Sequence, residues 1–533
     1  MTASAKSSSG EERYSLPREA ASRLADLPGE LPGYGPIRIY RNDDRKPQAS
    51  PRPTAPPRPL RPKVLKDLEA AFDACEISQG ATLSFHHHLR NGDSVLNAVL
   101  EVAAARRLSG LRLAVSAIFP VHAPLLRHLR SGLVSEIWTD YASGPVAREI
   151  VAGGLSRPVV LQTHGGRARA IASGQLAIDA AFIAGPRADA FGGTSGALGR
   201  AACGPLGYPR VDADHARHVV IVAQELSETR LERVDISAER VDFVVRLPHI
   251  GDSAGITSGA TRVAQDPLGR RIAATAARAI AASGVMAEGF SFQTGAGGVS
   301  LAVTQALGAE LPRQGIRGGF ICGGITGAQV DLVRAGLFRE LLDVQCFDME
   351  AVRSYRDDPW HRGISAAEYA SPLHPDPVVE RLGVMLLGAA EIDRHFNINV
   401  TLAGDGRIIG GAGGHPDTAA GARLAVATTR LTGGGYPKVV DSVGCITTPG
   451  RDVDLLVTEA GLAVNPRRPD LAERLRHAGL PLLDIEALVD AARSQATLSP
   501  ARPEGPLTAI VEYRDGSVID TVRRIAPKQA VCL

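Results

Sequence analysis

RLGVMLLGAAEIDRHFNINVTLAGDGRIIGGAGGHPD, Arg381 to Asp417, is the stretch whose reading decides the fold. The run Val384 to Ala390 is too short for a helix and too apolar for an edge, so it reads as a buried parallel strand. Such a strand delivers Glu391 to its carboxyl end, where open α/β sheets bind their ligands. About twenty residues on, the loop Gly410-Gly411-Ala412-Gly413-Gly414 bares main-chain N–H groups that suit an oxyanion or a phosphate. A carboxylate beside such a loop is the outline of an acyl-transfer site.

Working outward, short apolar runs alternate with helical patterns such as VLKDLEAAFDAC and DSVLNAVLEVAAARRL from Val64 onward. That alternation is the signature of βαβ units on a mainly parallel sheet. A long internal repeat accompanies it. LRSGLVSEI (Leu129–Ile137) lines up with VRAGLFREL (Val333–Leu341), GLRLAV near Gly110 with GIRGGF near Gly315, and Asp189 with Asp393, at an offset of about 204 to 205 residues. Two tandem homologous α/β domains follow. The expected division is a Pro/Ser/Arg-rich N-terminal tail or docking arm (1–62), a first domain (63–265), a second domain carrying Glu391 (266–500) and a C-terminal segment (501–533). In that last segment Asp515-Gly516 predicts a tight hairpin. The stretch SPRPTAPPRPLRP before the first domain cannot hold a helix or a central strand.

Function should lie where the halves differ. SFHHHLRNGD, Ser84 to Asp93, sits opposite SFQTGAGG, Ser291 to Gly298, each after a strand and before a helix. The register that pairs Asp189 with Asp393 puts Arg187 opposite Glu391, so one half alone carries the acid. His86, His87 and His88 alternate faces on an extended segment and cannot easily share a metal ion. Gly433-Gly434-Gly435 reads as a flexible turn.

Composition narrows the function classes. With 533 residues, 44% of them hydrophobic and 22% charged, the chain reads as a soluble globular protein able to bury large cores. The 59 basic and 57 acidic residues nearly cancel and form no basic patch, which argues against nucleic acid as a partner. The six cysteines (75, 203, 322, 346, 445 and 532) form no CxxC pair, so neither a disulfide framework nor a zinc site is expected and a reducing cytoplasm fits. The N-terminus lacks an apolar signal core and no run is long enough to span a membrane, so the expectation is a protein neither exported nor embedded.

At this point the sequence resembles a known family, the citrate lyase alpha subunit, the citrate:acyl-carrier-protein CoA-transferase component of bacterial citrate lyase. SFHHHLRNGD, THGGRARAIASGQLAIDAAFI, CGPLGYPRVDAD, EGFSFQTGAGGVSLAVT, GGIT (Gly323–Thr326), LLDVQCFD, EIDRHFNINV, GGHPDTA, VDLLVTEAGLAVNP and YRDGSVID carry the resemblance, over roughly residues 65 to 525. It implies two CoA-transferase-type α/β domains. It also implies the exchange of acetate for citrate on a thioester, after which a separate beta-type subunit, the citryl-ACP lyase, cleaves the citryl group to oxaloacetate. The thiol belongs to a CoA-like prosthetic group on a gamma-type acyl carrier protein, so this chain needs no ATP, metal or bound redox cofactor. A cytoplasmic, oligomeric, multi-subunit assembly is implied with it.

Under this resemblance Gly413 and Gly414, with Gly297 and Gly298, are the candidates for holding the oxyanion, while His87, Arg90, His164 and His415 are candidates for citrate and acetate contacts. Glu391 with GAGGHPD resembles the glutamate and glycine loop of transferases that form a glutamyl anhydride. In the citrate lyase type, by contrast, citrate itself attacks the thioester, and Glu391 then positions substrate or shapes the field. DAFGG (Asp189–Gly193) departs from the Asp-x-x-Gly-Asn of related transferases. The competing readings are exchange on citramalate, thioester hydrolysis, and a scaffold that keeps the fold without turnover.

Overall fold

The computed structural model of the protein describes residues 16–41, 50–257, 263–295, 297–502 and 504–525; Ala296 and Cys532 lie outside them. The run at Val384 does form a parallel strand, Val384–Gly388, paired on both sides and buried over its first four residues. It belongs to a set of seven strands that occurs twice. In the first half these are β1 (Thr82–Phe85), β2 (Leu111–Val115), β3 (Val134–Thr139), β4 (Val159–Leu161), β5 (Ala180–Asp189), β6 (His218–Ser227) and β7 (Phe243–Arg246). In the second they are β8 (Phe292–Thr294), β9 (Gly318–Ile325), β10 (Phe338–Cys346), β11 (His361–Gly363), β12 (Val384–Gly388), β13 (Leu424–Thr428) and β14 (Leu455–Val457).

The spatial orders are β4-β3-β2-β1-β5-β6-β7 and β11-β10-β9-β8-β12-β13-β14, with every one of these pairings parallel. The two orders are the same, so the repeat read from sequence is a repeat of topology. A detail fixes its register. Asp189 Oδ1 accepts the N–H groups of Phe191 at 2.9 Å and Gly193 at 3.1 Å, and Asp393 Oδ1 accepts those of His395 at 2.9 Å and Asn397 at 3.0 Å. The same turn thus recurs at the two aligned aspartates, each side chain satisfying donors that would otherwise be stranded in the interior.

In each sheet the strand order reverses at the first strand, between β1 and β5 and between β8 and β12. Ligands bind beyond the carboxyl ends at such switch points, because the helices leaving in opposite directions open a crevice there. His86 to Asp93 follow β1, and Gly295, Gly297 and Gly298 follow β8, so the described parts of the stretches that distinguish the halves stand at both crevices.

The halves join reciprocally. The Gly413 carbonyl accepts the His164 N–H at 2.8 Å, and the Gly207 carbonyl accepts the Ala366 N–H at 3.0 Å. Each acceptor lies just before a helix of one half, and each donor is the first residue of a helix in the other. A helix start has unsatisfied N–H groups, and the facing loop supplies their acceptors.

The hairpin expected at Asp515-Gly516 forms between Leu507–Glu512 and Val518–Arg523, and its first strand pairs in parallel with β4 at the edge of the first sheet. Residues 16–41 lie against it. The helix Arg18–Ala25 places Arg23 on Asp520 through two hydrogen bonds of 2.8 and 2.6 Å, and Tyr34 O–H donates to Glu512 at 2.7 Å. Within the stretch read as a tail or docking arm, this part therefore folds onto its own chain. The proline-rich stretch that follows has neither helix nor strand, but Arg52, Ala55 and Arg58 donate main-chain bonds to the first half. No helix among the described residues is long and apolar enough to cross a membrane.

Candidate functional site

Beyond β1 the three consecutive histidines turn to three different partners. His86 Nε2 lies 3.0 Å from Asp212, His87 Nδ1 pairs with Ser116 Oγ at 2.5 Å, and His88 Nε2 meets the Ala184 carbonyl at 2.7 Å. Burial pulls all three imidazoles below their ordinary value, His88 to about 4. Each is held by a partner of its own, so the three do not converge on one ligand position. His87 alone faces the junction of the halves, its ring centroid 5.9 Å from that of His164 and 4.6 Å from Tyr208. Gln345, at the end of β10, donates to the His87 carbonyl at 2.8 Å.

Arg90 follows with φ +51, a left-handed backbone that costs a non-glycine residue about 1 kcal/mol or more and persists only where its surroundings enforce it. Its guanidinium lies over Phe119 of the first half at 5.3 Å and Phe347 of the second at 4.5 Å. Arg90 thus sits between the halves, as strained residues at functional crevices do.

His164 begins the helix His164–Ser173, which Thr163 caps by accepting the Gly166 N–H. Its Nδ1 is 2.9 Å from Asp140 Oδ2, so Nδ1 carries the proton and Nε2 is turned toward the glycine loop. Burial raises Asp140 and the neighbouring His164 opposes that rise.

The loop 410–414 runs against the ends of β3 and β4. A Cβ on Gly411 would collide with the Asp140 carbonyl, and Gly413 has φ +52. Its glycines therefore serve first to let one half's backbone touch the other's. The Gly413 N–H is donated to the Asp140 carbonyl at 3.2 Å, while the Gly414 N–H has no acceptor among the described residues. Of the two amides of this loop expected to face an oxyanion, Gly414's is the one left open. His415 has both ring nitrogens in use, Nε2 on the Gly388 carbonyl at 2.9 Å and Nδ1 on Thr448 Oγ1 at 2.7 Å.

Asp417, in the same short helix, reaches into the first half. Its carboxylate accepts Thr163 Oγ1–H and the Gly165 N–H, both at 2.9 Å, at the positive end of the His164 helix. Burial pushes Asp417 up to about 6 despite these donors and Arg514. An unfolded aspartate titrates near about 3.9, so between about 4 and 6 the folded chain holds a proton that the unfolded chain has shed. The stability from that proton is complete at the acid end and lost as pH rises through 6. Melting curves of wild type and Asp417→Asn across this window should converge or cross, the difference moving in the variant's favour as pH rises.

Gly297 and Gly298 open the helix Gly298–Gln314 beyond β8. Gly297 has φ −70, and among the described residues a Cβ there would meet only Ser300 Oγ at 3.9 Å. Neither backbone nor packing among the described residues requires glycine at 297.

Glu391 is placed differently. It is 2% exposed, and Oε2 accepts Asn399 Nδ2–H at 2.9 Å and the Gly444 N–H at 2.8 Å, while Oε1 faces Arg502 at 3.4 Å. No hydrogen bond among the described residues joins it to either glycine segment. A cavity of ≈ 450 Å³ opens behind Arg502, lined by Val440, Val489 and Leu498 and by none of the junction residues. The carboxylate closes a turn inside the second half.

Sequence reasoning missed Asp140, Tyr208, Asp417 and Tyr369, which the structure gathers around His164 and Gly414. It also missed Asp343, Cys346 and His361, whose ligand atoms lie within 4.8 Å of one another. There Asp343 Oδ2 receives both His361 Nε2 at 3.0 Å and Cys346 Sγ at 3.1 Å, and His361 Nδ1 meets Ser354, a hydrogen-bond set closed on itself. Burial and the adjacent carboxylate raise the Cys346 thiol, which keeps it protonated.

Comparison with known proteins places this geometry. The sequence profile of the family described as citrate lyase, alpha subunit, matches residues 61–525. Citrate lyase alpha chains of Klebsiella pneumoniae and Escherichia coli K12 are 43% and 44% identical over 468 residues, 87% of this chain and 91% of theirs. A crystal structure described as the alpha subunit of citrate lyase in complex with citrate, from Streptococcus mutans, superposes with a TM-score of 0.88 at 38% identity, covering 97% of this chain and 99% of that one. The alpha subunit of a malonate decarboxylase from Acinetobacter baumannii shares the fold, with a TM-score of 0.60 at 16% identity over 83% of this chain and 94% of its own.

Proposed function

The chain belongs to the citrate lyase alpha subunit family, and from that premise we infer that it is a citrate CoA-transferase. It exchanges the acetyl group of an acyl-carrier-protein thioester for citrate, giving citryl thioester and acetate. The observation that carries this reading is the likeness, at 38% identity over 97% of the chain, to an alpha subunit solved in complex with citrate. The thioester belongs to a CoA-like prosthetic group on the partner carrier, and a further subunit of the same cytoplasmic complex cleaves the citryl product to oxaloacetate.

Exchanging one carboxylate for another on sulfur conserves the thioester, so no ATP is needed and the protein has only to lower a barrier. Positioning and charge stabilisation do that. A citrate carboxylate attacks the acetyl thioester, thiolate leaves, and the mixed anhydride is opened by thiolate at the citryl carbonyl to release acetate. His87, Arg90 and His164 line the carboxylates, and Gly414 with Gly297 and Gly298 faces the carbonyl. A purified complex given acetyl carrier and citrate without ATP should release acetate and accumulate citryl thioester. Acetate release without citrate would instead mark a hydrolase.

Glu391 enters this scheme as a positioning group, because its carboxylate is already spent on Asn399, Gly444 and Arg502. Glutamine there keeps an oxygen for the two N–H donors. Removing a covalent nucleophile costs on the order of 10⁴-fold or more, whereas Glu391→Gln should stay within about tenfold of wild-type kcat. Hydroxylamine or borohydride treatment during turnover should leave residue 391 unmodified; a labelled Glu391 would restore the covalent route.

A further inference from the structure

Gly414 has φ −90, a backbone any residue adopts, so its lack of a side chain must answer to what lies above it. That is the Tyr369 hydroxyl, 2.8 Å from where a Cβ would stand, with the His164 ring edge at 3.4 Å. The same hydroxyl lies 3.2 Å from the Cβ position of Gly323, whose φ of +99 accompanies a bulge at the end of β9. Bulges of this kind recur next to active sites, where they re-aim a strand end. Tyr369 is 2% exposed and sits in the five-residue helix Ala366–Ala370, held by the capping box of Ser365 and Glu368. Its hydroxyl makes no hydrogen bond among the described residues. A tyrosine hydroxyl without a protein partner beside a bare amide is positioned for a ligand. Beside it Gln293, at the switch point, carries an Oε1 that is buried without a partner, and its Nε2 is 2.9 Å from the same Gly323 position. Burial keeps the phenol well above its ordinary value, so it stays a donor across the working pH range.

We propose that Tyr369 is a catalytic residue of the exchange, its O–H donating together with the Gly414 N–H to the oxyanion of each acyl-transfer step. As the citrate carboxylate oxygen bonds to the thioester carbon, the carbonyl π pair moves onto oxygen, and that oxygen receives the two donors. Collapse of the oxyanion expels thiolate and leaves the acetyl–citryl anhydride. Thiolate then adds to the citryl carbonyl, a second oxyanion forms on the same donors, and its collapse expels acetate. No proton is consumed, which suits a donor that never ionises.

The inference rests on the exchange reading above, and the test separates the two. In the assembled complex, Tyr369→Phe keeps the ring and removes the donor; kcat for exchange should fall about 100-fold with KM for citrate little changed. A variant with wild-type kcat, or one with a lowered melting temperature and intact kcat, overturns the role. Should Tyr369→Phe not fold, 3-fluorotyrosine at 369 keeps the shape and changes the acidity of the donor; an unchanged kcat there overturns it equally. A wild-type complex without exchange removes the functional reading itself, and the role of Tyr369 with it, whereas an active wild type beside an active Tyr369→Phe removes the inference alone.

Discussion

Gly411→Ala is expected to abolish most of the exchange activity while leaving both sheets intact. The new methyl meets the Asp140 carbonyl and the Tyr141 backbone, with 3.0 Å to the Asp140 carbonyl carbon and to Tyr141 Cα. These are main-chain atoms at the end of β3 and cannot rotate aside. The loop must therefore lift. With it go the Gly413 N–H bond to Asp140 and the Gly413 carbonyl bond to His164, the contacts that hold Gly414 beside His164 and Tyr369. Overpacking of this kind costs about 1–3 kcal/mol of stability. Its functional cost is larger, since a shift of about 1 Å in a reacting arrangement can cost on the order of 100-fold in rate. Steady-state exchange at saturating citrate should fall by at least about that factor, with the far-ultraviolet spectrum unchanged. Full activity would mean that the loop is free of the first half during turnover.

The same loop shows which parts of the site a sequence can reveal. Strand Val384–Gly388 is legible because a short, wholly apolar run has few other uses, and the repeat is legible because topology was copied together with residues such as Asp189 and Asp393. The role of Glu391 is not. Asn399 is close in sequence, but Gly444 and Arg502 arrive from far down the chain, and nothing local says that the carboxylate will be caged. Likewise a run of glycines announces bare amides, but not that Gly413 gives its N–H to Asp140 while Gly414 keeps its own. That difference is made by the docking of the halves. Tyr369 and Asp417 belong to the same class: each is ordinary in its own helix and acquires a function only from the half it faces. Residues 16–41 escape a compositional reading for a related reason. Their anchors, Arg23 and Tyr34, are single side chains whose partners Asp520 and Glu512 stand at the other end of the chain.

Beneath the histidines lies the group with the largest expected effect on stability. Arg167, 2% exposed, gives Nη1–H and Nη2–H to the two oxygens of Asp212, each at 3.0 Å, and Nη2 also to Ser84 Oγ at 2.7 Å. Burial alone would raise Asp212, but Arg167 and His86 outweigh it and hold the carboxyl well below the usual range. The charge is therefore present at every pH at which the protein works, and its stabilising contribution is lost only in acid, as pH falls below the unfolded value. Arg167→Met fills much of the volume but strands that carboxylate in the interior. Breaking a buried pair from one side costs about 3–5 kcal/mol, which should appear as a lower denaturant midpoint at unchanged slope. Removing Asp212 as well takes away the stranded charge, so Arg167→Met/Asp212→Leu should recover much of the loss. If the double variant is as unstable as the sum of its parts, the pair is not coupled and the side chains stabilise independently. Ser84 and His86 lie in the segment that carries His87 to the junction, so the single variant should also lose exchange activity, and the double variant should regain stability ahead of activity.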